Sequence, residues 1–545
     1  MIDLIQVLKT SKGLPVSDNA SELLGEKCKN TVIYGWHIDP SVSDPAQAVT
    51  YLRDAKGKTP AAMGASSFSY GGWENAFFLP KPCMLKYDGT VDYYLDPNDY
   101  TKKADGTASD ISNAGYNGNA MMEWGMIWFK FEAGDADGEG SFYCSNRQID
   151  ESYKCWCNIN SDGNTAEHFY TSIYNAAGTN KLRSLSGVAF TLANGVGNTT
   201  AQQEISRALA NNIGETTEWY TDIWCDRLLI NALLVLMGRS LDVQSVFGNG
   251  FVADNADIRN YSSGALDTAG QFYGSVTGQN SFVKVFGMEN WWGAIYRRAA
   301  GFVADGSTAK VKLTYGTSDG SAVSSYNTSG NGYIAAGTLP DGTSPQSVLS
   351  AMSFGSFGAV PRSVVIDADS DTYYSDSLRT SPVYTTVQGG WEGTNGSIPS
   401  RYGPENIEYY PLRVCIEQQV FLDNGSSRII SSENSGFMAA VKYVSLSTGE
   451  QISDTGWHDM PYTIDGCLNN DVIVCVTIRR SDNSALTPDD VGAVSIQLAD
   501  PAYPLLGGRA GHGKKAGAFS MLLTTSAGFI GNTGTGLSCK PKATS

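Results

Sequence analysis

Tyr503-Pro-Leu-Leu-Gly-Gly-Arg-Ala-Gly-His-Gly-Lys-Lys-Ala-Gly-Ala-Phe519, followed closely by Gly536-Leu-Ser-Cys-Lys-Pro541, is the stretch on which the reading of this chain turns. Glycines and apolar residues (Gly507, Gly508, Gly513, Ala516, Gly517, Ala518, Phe519, Leu523) alternate with residues of unrelated chemistry (Arg509, His512, Lys514, Lys515, Ser520, Thr524, Thr525). A rigid frame whose projecting positions carry arbitrary chemistry suits recognition of a ligand more than catalysis.

Composition agrees with a surface-type protein. At 545 residues the chain is long enough for several domains. Only 17% of residues are charged while glycines number 60, which points to a turn-rich, mostly β chain. With 41% apolar residues, disorder is not expected. A net charge of −17 without a long basic run argues against nucleic acid and against an anionic membrane, since both are bound through clustered Lys and Arg. Arg509, His512, Lys514 and Lys515 form a small basic spot on this acidic body, suited to an anionic glycan or a carboxylate.

The ten cysteines lack the even spacing of a small disulfide scaffold and read mostly as buried thiols. Cys155-Trp-Cys157 is too tightly spaced for an ordinary zinc pair. Asp135-Ala-Asp-Gly-Glu139 and Asp367-Ala-Asp-Ser-Asp371 would suit calcium alone, but neither has the glycine and distant glutamate of a helix-loop-helix calcium site. They read as solvated loops, and no cofactor is expected. The start Met-Ile-Asp-Leu-Ile-Gln-Val-Leu-Lys does not resemble a signal peptide, and no stretch is long and apolar enough to span a bilayer. The expectation is a protein made in a cytoplasm and released by lysis.

Along the chain, residues 1–30 read as an attachment or oligomerisation arm. Thr31–Trp36 reads as a strand, Cys83–Leu95 as a hairpin turning at Asp88-Gly89, and Met121–Phe131 as one strand buried on both faces. Two helices are predicted, one entered through Thr200 with Glu204 in capping-like order and one from Thr217 to Met237. In the second, Trp219, Ile223, Leu229 and Leu233 are expected in the core. From 389 to 500 the pattern changes to regular strands (Tyr410–Ile416, Phe437–Val444, Val472–Arg479, Val494–Leu498), as in a β-sandwich.

The 507–519 frame with its Leu537-Ser-Cys-Lys-Pro541 close resembles the C-terminal C-type-lectin-fold domain of phage tail receptor-binding proteins, including those diversified by retroelements. Phe286-Gly-Met-Glu-Asn-Trp-Trp-Gly-Ala-Ile-Tyr-Arg-Arg298 is similar to the Gly-Asn-Val-Trp-Glu-Trp element of formylglycine-generating-enzyme-like folds, and the likeness continues through Val311–Gly320, Tyr333–Gly337, Phe354–Gly358 and Tyr373–Asp376. Two departures matter. The family's usual tryptophan is Ala510 here, and adenine-directed mutation of AAC or AAT codons cannot produce Lys514 or Lys515. Binding by this face is therefore better supported than active diversification.

The resemblance implies an α+β fold, with a C-type-lectin-like domain over 31–388 and 501–545. An all-β sandwich, immunoglobulin-like or carbohydrate-binding-like, is inserted at 389–500, where a surface loop tolerates it. It implies a virion protein at the tail tip, homotrimeric, contacting other tail proteins and a bacterial cell-surface receptor, glycan or protein. The expected ligand contacts are Arg509, Gly511, His512, Lys514, Lys515, Ser520, Thr524, Thr525 and Phe529. Trp291 and Trp292 are candidate stacking platforms, with at least one expected in the core.

Catalysis is not expected. No Gly-x-Ser-x-Gly is present, and the four histidines lie in unrelated contexts. The copper-binding cysteines of formylglycine-generating enzymes have no counterpart beyond Cys539, and fold alone does not carry activity. The alternatives are a structural tail or baseplate component and a surface-polysaccharide-degrading enzyme.

Overall fold

The computed structural model describes residues 31–339 apart from short breaks, of which 190–198 is the longest; strands and turns within 352–498; and 501–542 apart from 511–515 and 524–532. The arm at 1–30 and the acidic loop at 367–371 lie outside the described residues. The architecture is mostly sheet with few helices.

Two antiparallel sheets dominate the first part of the chain. One has four strands in the order Val49–Arg53, Ile33–Ile38, Gly140–Ser145, Trp128–Ala133. The other has seven, in the order Thr217–Thr221, Leu537–Pro541, Phe169–Ser172, Gly118–Trp124, Lys81–Lys86, Val91–Asp96, Asp99–Lys103. The hairpin within it turns as expected: Gly89 has φ 84°, and the Asp88 carboxylate accepts from the Thr90 amide (2.9 Å) and hydroxyl (2.6 Å).

The run Met121–Phe131 is two strands rather than one. Gly118–Trp124 is buried at every position, as an interior strand covered on both faces should be, whereas Trp128–Ala133 alternates and belongs to the other sheet. The chain changes sheets at Gly125–Ile127, and a continuous apolar run does not reveal such a change.

Helix α1 (Ala201–Leu209) starts at Thr200 in a true capping box, but the reciprocating residue is Gln203. Glu204 points inward instead and pairs with Arg298 at 3.0 Å. The second helix is shorter than expected. Thr217–Thr221 is an edge strand paired with Leu537–Pro541, and α2 runs from Trp224 to Gly238. Trp219, Ile223, Leu229 and Leu233 are core residues, Trp219 from the strand. Apolar character continuing across the strand–helix junction hides the change of period.

Every residue of α2 is buried, so its polar members Asp226, Arg227 and Asn231 need partners inside the fold. It ends at Arg239, in the left-handed region with φ 49°. The four-stranded sheet covers it: Trp36 Nε1 donates to the Ala232 carbonyl (3.0 Å), and the Tyr51 hydroxyl donates to that of Met237 (3.3 Å).

Among the described residues, strands from Ser381 to Leu498 pair with one another, in a four-stranded sheet, a five-stranded sheet and a short hairpin. Leu412–Ile416, Phe437–Ser445, Val472–Arg480 and Val494–Leu498 match the sequence reading, while Arg428–Ser432, Gln451–Asp459 and Tyr462–Ile464 escaped it. The pairing begins at Ser381–Pro382, earlier than the composition shift at 389. Beyond it, the Ala502 and Ala304 backbones exchange hydrogen bonds (2.9 and 2.7 Å), returning the chain to the sheets of the first part.

Candidate functional site

After its return the chain builds a small sheet in the order Met521–Leu522, Leu505–Leu506, Tyr296–Arg298, Thr533–Gly534. Its centre comes from the Trp-Trp motif and its other three strands from the C-terminal frame. The described residues flanking 511–515 and those flanking 524–532 all belong to this sheet or its turns.

The frame is tightly held. The Gly507 amide donates to Ser520 O (2.9 Å), Gly517 N and Gly293 N donate to Gly507 O (3.2 and 3.1 Å), and Ala510 N donates to Ala294 O (3.1 Å). Gly507 has φ 83°, and a Cβ there would lie 2.9 Å from the Trp291 carbonyl oxygen, so the position admits no side chain. Ala516, Ala518, Phe519, Met521 and Leu523 are all buried.

Beneath the frame lies a polar network that joins it to α2. Trp291 Nε1 donates to Asn231 Oδ1 (2.8 Å), and Asn231 Nδ2 donates to Ala518 O (2.7 Å). Arg227 lies over the Trp291 ring at 3.9 Å and donates to the Trp291 carbonyl (2.9 Å). Asp222 accepts from Arg297 through both carboxylate oxygens (2.7 and 3.0 Å), with Arg227 at 3.6 Å. Burial, then the neighbouring Arg297 charge, pulls Arg227 down to about 9. In sequence Asn231 interrupts the apolar run from Leu228 to Met237. Its signal was that interruption, since a polar residue within a buried helix needs a partner.

The sequence-derived contacts divide. Arg509 is half-buried at the edge, its guanidinium 5.9 Å from the centre of the Tyr296 ring and 3.2 Å from the Ala510 carbonyl that accepts from it. Ser520 is buried, and Trp291 and Trp292 are each 1% exposed. All three are covered within the frame rather than presented on its surface, as was expected of at least one tryptophan: Trp291 is taken up by Asn231 and the arginines, and Trp292 Nε1 by the Gly248 carbonyl (3.1 Å). Gly511, His512, Lys514, Lys515, Thr524, Thr525 and Phe529 lie outside the described residues. Ala510, in place of the expected tryptophan, packs in a cluster with Phe251, Leu266, Phe282 and Ile295. Rings from another part of the chain fill the space beside the small side chain.

The closing strand Leu537–Pro541 is anchored by Leu537 N to Ser172 Oγ (3.0 Å), Ser538 Oγ to Asp226 (2.9 Å), and Lys540 to Asp226 (3.5 Å). Next to it the Glu218 carboxylate accepts the Ser161 amide (3.0 and 2.9 Å) and faces Lys542 at 3.7 Å. Burial pushes Glu218 up to about 7 even though that amide and the nearby lysines oppose the shift. A carboxyl raised above its unfolded value holds a proton in the folded chain, so its contribution is whole below pH 4.5 and is lost as pH rises through about 7. Glu218→Gln should therefore stabilise the protein by on the order of 1 kcal/mol at about pH 8 and leave it unchanged at about pH 4. Thermal melts of both proteins across that range check this; an equal difference at all pH values would contradict it.

One arrangement suggests catalysis. On the four-stranded sheet the Ser141 hydroxyl lies 3.0 Å from His37 Nδ1, and His37 Nε2 lies 3.3 Å from Glu139. The order serine, histidine, carboxylate is that of an activated nucleophile. However, Ser141 lies in a strand paired on both sides, whose amides are committed to the ladders and leave no donor pair for an oxyanion. Glu139 also accepts the Asp135 and Ala136 amides (3.0 and 2.9 Å), closing its own turn. Among the described residues no His, Cys, Asp or Glu group could hold a metal ion, and no helix is long and apolar enough to cross a membrane.

No protein-family model and no curated protein matches the chain. Functional inference therefore rests on the site.

Proposed function

We propose that the chain is a receptor-binding protein of a phage or prophage tail tip, and not an enzyme. In this reading its C-terminal residues form the recognition face of a C-type-lectin-like domain, and the strands from 389 to 500 form a sandwich inserted beside that face. The observation that carries the reading is the small sheet whose described frame runs through Ala510, Ala516, Leu523 and Thr533, the residues flanking 511–515 and 524–532 in sequence. That sheet's frame is buried and tied through Trp291 and Asn231 to the central helix. A platform held this firmly tolerates changes in the residues it displays, which is what recognition of varying bacterial surfaces requires.

The protein would be made in the host cytoplasm and assembled with other tail proteins. A homotrimer would multiply weak single sites into avid attachment. Incubating the purified chain with a panel of bacterial strains and measuring its co-sedimentation tests the proposal. Saturable binding to some strains and not others is expected. Absence of saturable binding to every strain, together with binding to other tail proteins, would replace it with a structural role in the tail.

A further inference from the structure

The closing strand and the start of α2 meet in a buried cluster that the recognition face does not use. Asp226, in the first turn of α2, is 2% exposed, and Lys540, in the strand Leu537–Pro541, is fully buried. Lys540 Nζ lies 3.5 Å from Asp226 Oδ1, and among the described residues neither atom makes a hydrogen bond. The other carboxyl oxygen, Oδ2, accepts the Ser538 hydroxyl (2.9 Å). Two further buried lysines spend their amines on fixed acceptors: Lys284 donates to the Leu266 carbonyl, and Lys312 to the Gly316 carbonyl and the Ser321 hydroxyl. The Lys540 amine, by contrast, is uncommitted and faces a carboxyl group.

A charged pair is costly in so dry a place unless hydrogen bonds satisfy it, and transfer of one proton leaves two neutral groups instead. Burial pushes the Asp226 carboxyl up, with Lys540, Ser538 and Cys157 opposing. Burial also favours loss of the Lys540 proton, but the Asp226 charge, with Cys157, Cys225 and Glu218, outweighs it and holds that proton more firmly than usual. Passing the proton to Asp226 removes the largest of the charges that hold it. The product is a free amine beside a neutral carboxyl group.

We propose that Lys540 and Asp226 condense to an isopeptide bond, which makes this pair a site of self-modification. The ammonium group first gives a proton to Oδ1. Nζ then attacks Cγ, and negative charge develops on Oδ2, where the Ser538 hydroxyl already points. A second amine proton moves to Oδ1, the Cγ–Oδ1 bond breaks, and one water leaves. The new Nζ–Cγ amide keeps the third proton, so no oxidant or other reactant is needed. Groups held about 3–3.5 Å apart gain through orientation much of what a separate catalyst would supply, and a core closed to bulk water disfavours the reverse hydrolysis. The bond ties the first turn of the central helix to the closing strand and encloses everything from 226 to 540, the glycine frame included. Force or proteolysis at the C-terminus then cannot withdraw that strand.

Intact-mass spectrometry of the purified chain tests this. A mass short of the sequence by one water is expected, with a tryptic product in which the peptide carrying Asp226 is joined to the peptide carrying Lys540. Lys540→Arg, which keeps a cation beside Asp226 but lacks the amine, should restore the full mass. In chains sampled at intervals after synthesis, Ser538→Ala should slow the loss of water on the order of a hundredfold. The full mass in wild type, a missing water that maps to other residues, or retention of the loss in Lys540→Arg would overturn the proposal. The first two outcomes are read on wild type and do not depend on a variant folding. An equal rate in Ser538→Ala would overturn the chemistry assigned to the two carboxyl oxygens.

Discussion

Asp222→Ala should destabilise the protein by about 3–5 kcal/mol, enough to leave much of it unfolded at physiological temperature. The carboxylate is the counter-ion of Arg297, which it meets through both oxygens, and it lies 3.6 Å from Arg227. Both arginines are 1% exposed, so neither can recruit water when the carboxylate is removed. Arg227 has no second carboxylate among its described contacts; its remaining partners are the ring and carbonyl of Trp291. The damage should therefore spread to the recognition frame, because Trp291 supports Gly507 and holds Asn231 against Ala518. Urea unfolding of wild type and variant checks this. An unchanged midpoint would show that the two buried cations are compensated in another way.

Ending the chain after Thr535 should abolish folding. Leu537–Pro541 is an interior strand of the seven-stranded sheet, paired over five positions with Thr217–Thr221 and also with Phe169–Ser172. Its removal opens two unpaired edges and takes Leu537 and Cys539 from the core. It also leaves Asp226, which is 2% exposed, without Lys540 and Ser538. One buried leucine lost to alanine costs about 2–5 kcal/mol, and a domain is stable by only about 5–15 kcal/mol. The truncated chain should be insoluble or protease-sensitive on expression, with no cooperative melt. A soluble, cooperatively melting product would mean that the closing strand is an accessory.

The parts of the fold that were legible in sequence are those where one period holds from end to end. The hairpin at Asp88-Gly89, the entry of α1 at Thr200 and four strands between Leu412 and Leu498 follow from local rules. Reading failed where apolar character ran on while the structure changed beneath it, at Gly125–Ile127 and between Thr221 and Trp224. At the candidate site, the glycine frame was legible because a left-handed φ and a close carbonyl at Gly507 exclude side chains. The network of Asp222, Arg227, Arg297 and Asn231 was not, since its members are brought together only by the fold. The same holds for Ser141 with His37, which face each other across a ladder. Ser520, Trp291 and Trp292 are buried, and what covers each of them comes from distant parts of the chain, which local sequence does not show.

Cell binding by a variant with Arg509, His512, Lys514 and Lys515 all changed to Ala, compared with wild type on a strain that wild type binds, tests the recognition face most directly. Far-UV spectra and thermal melts should be unchanged, since Arg509 is at the edge of the frame and contributes no buried ion pair among the described contacts. Loss of at least about tenfold in affinity with the fold intact is the expected result. Undiminished binding by the folded variant would contradict the assignment of recognition to this face and move it to the strands between 389 and 500.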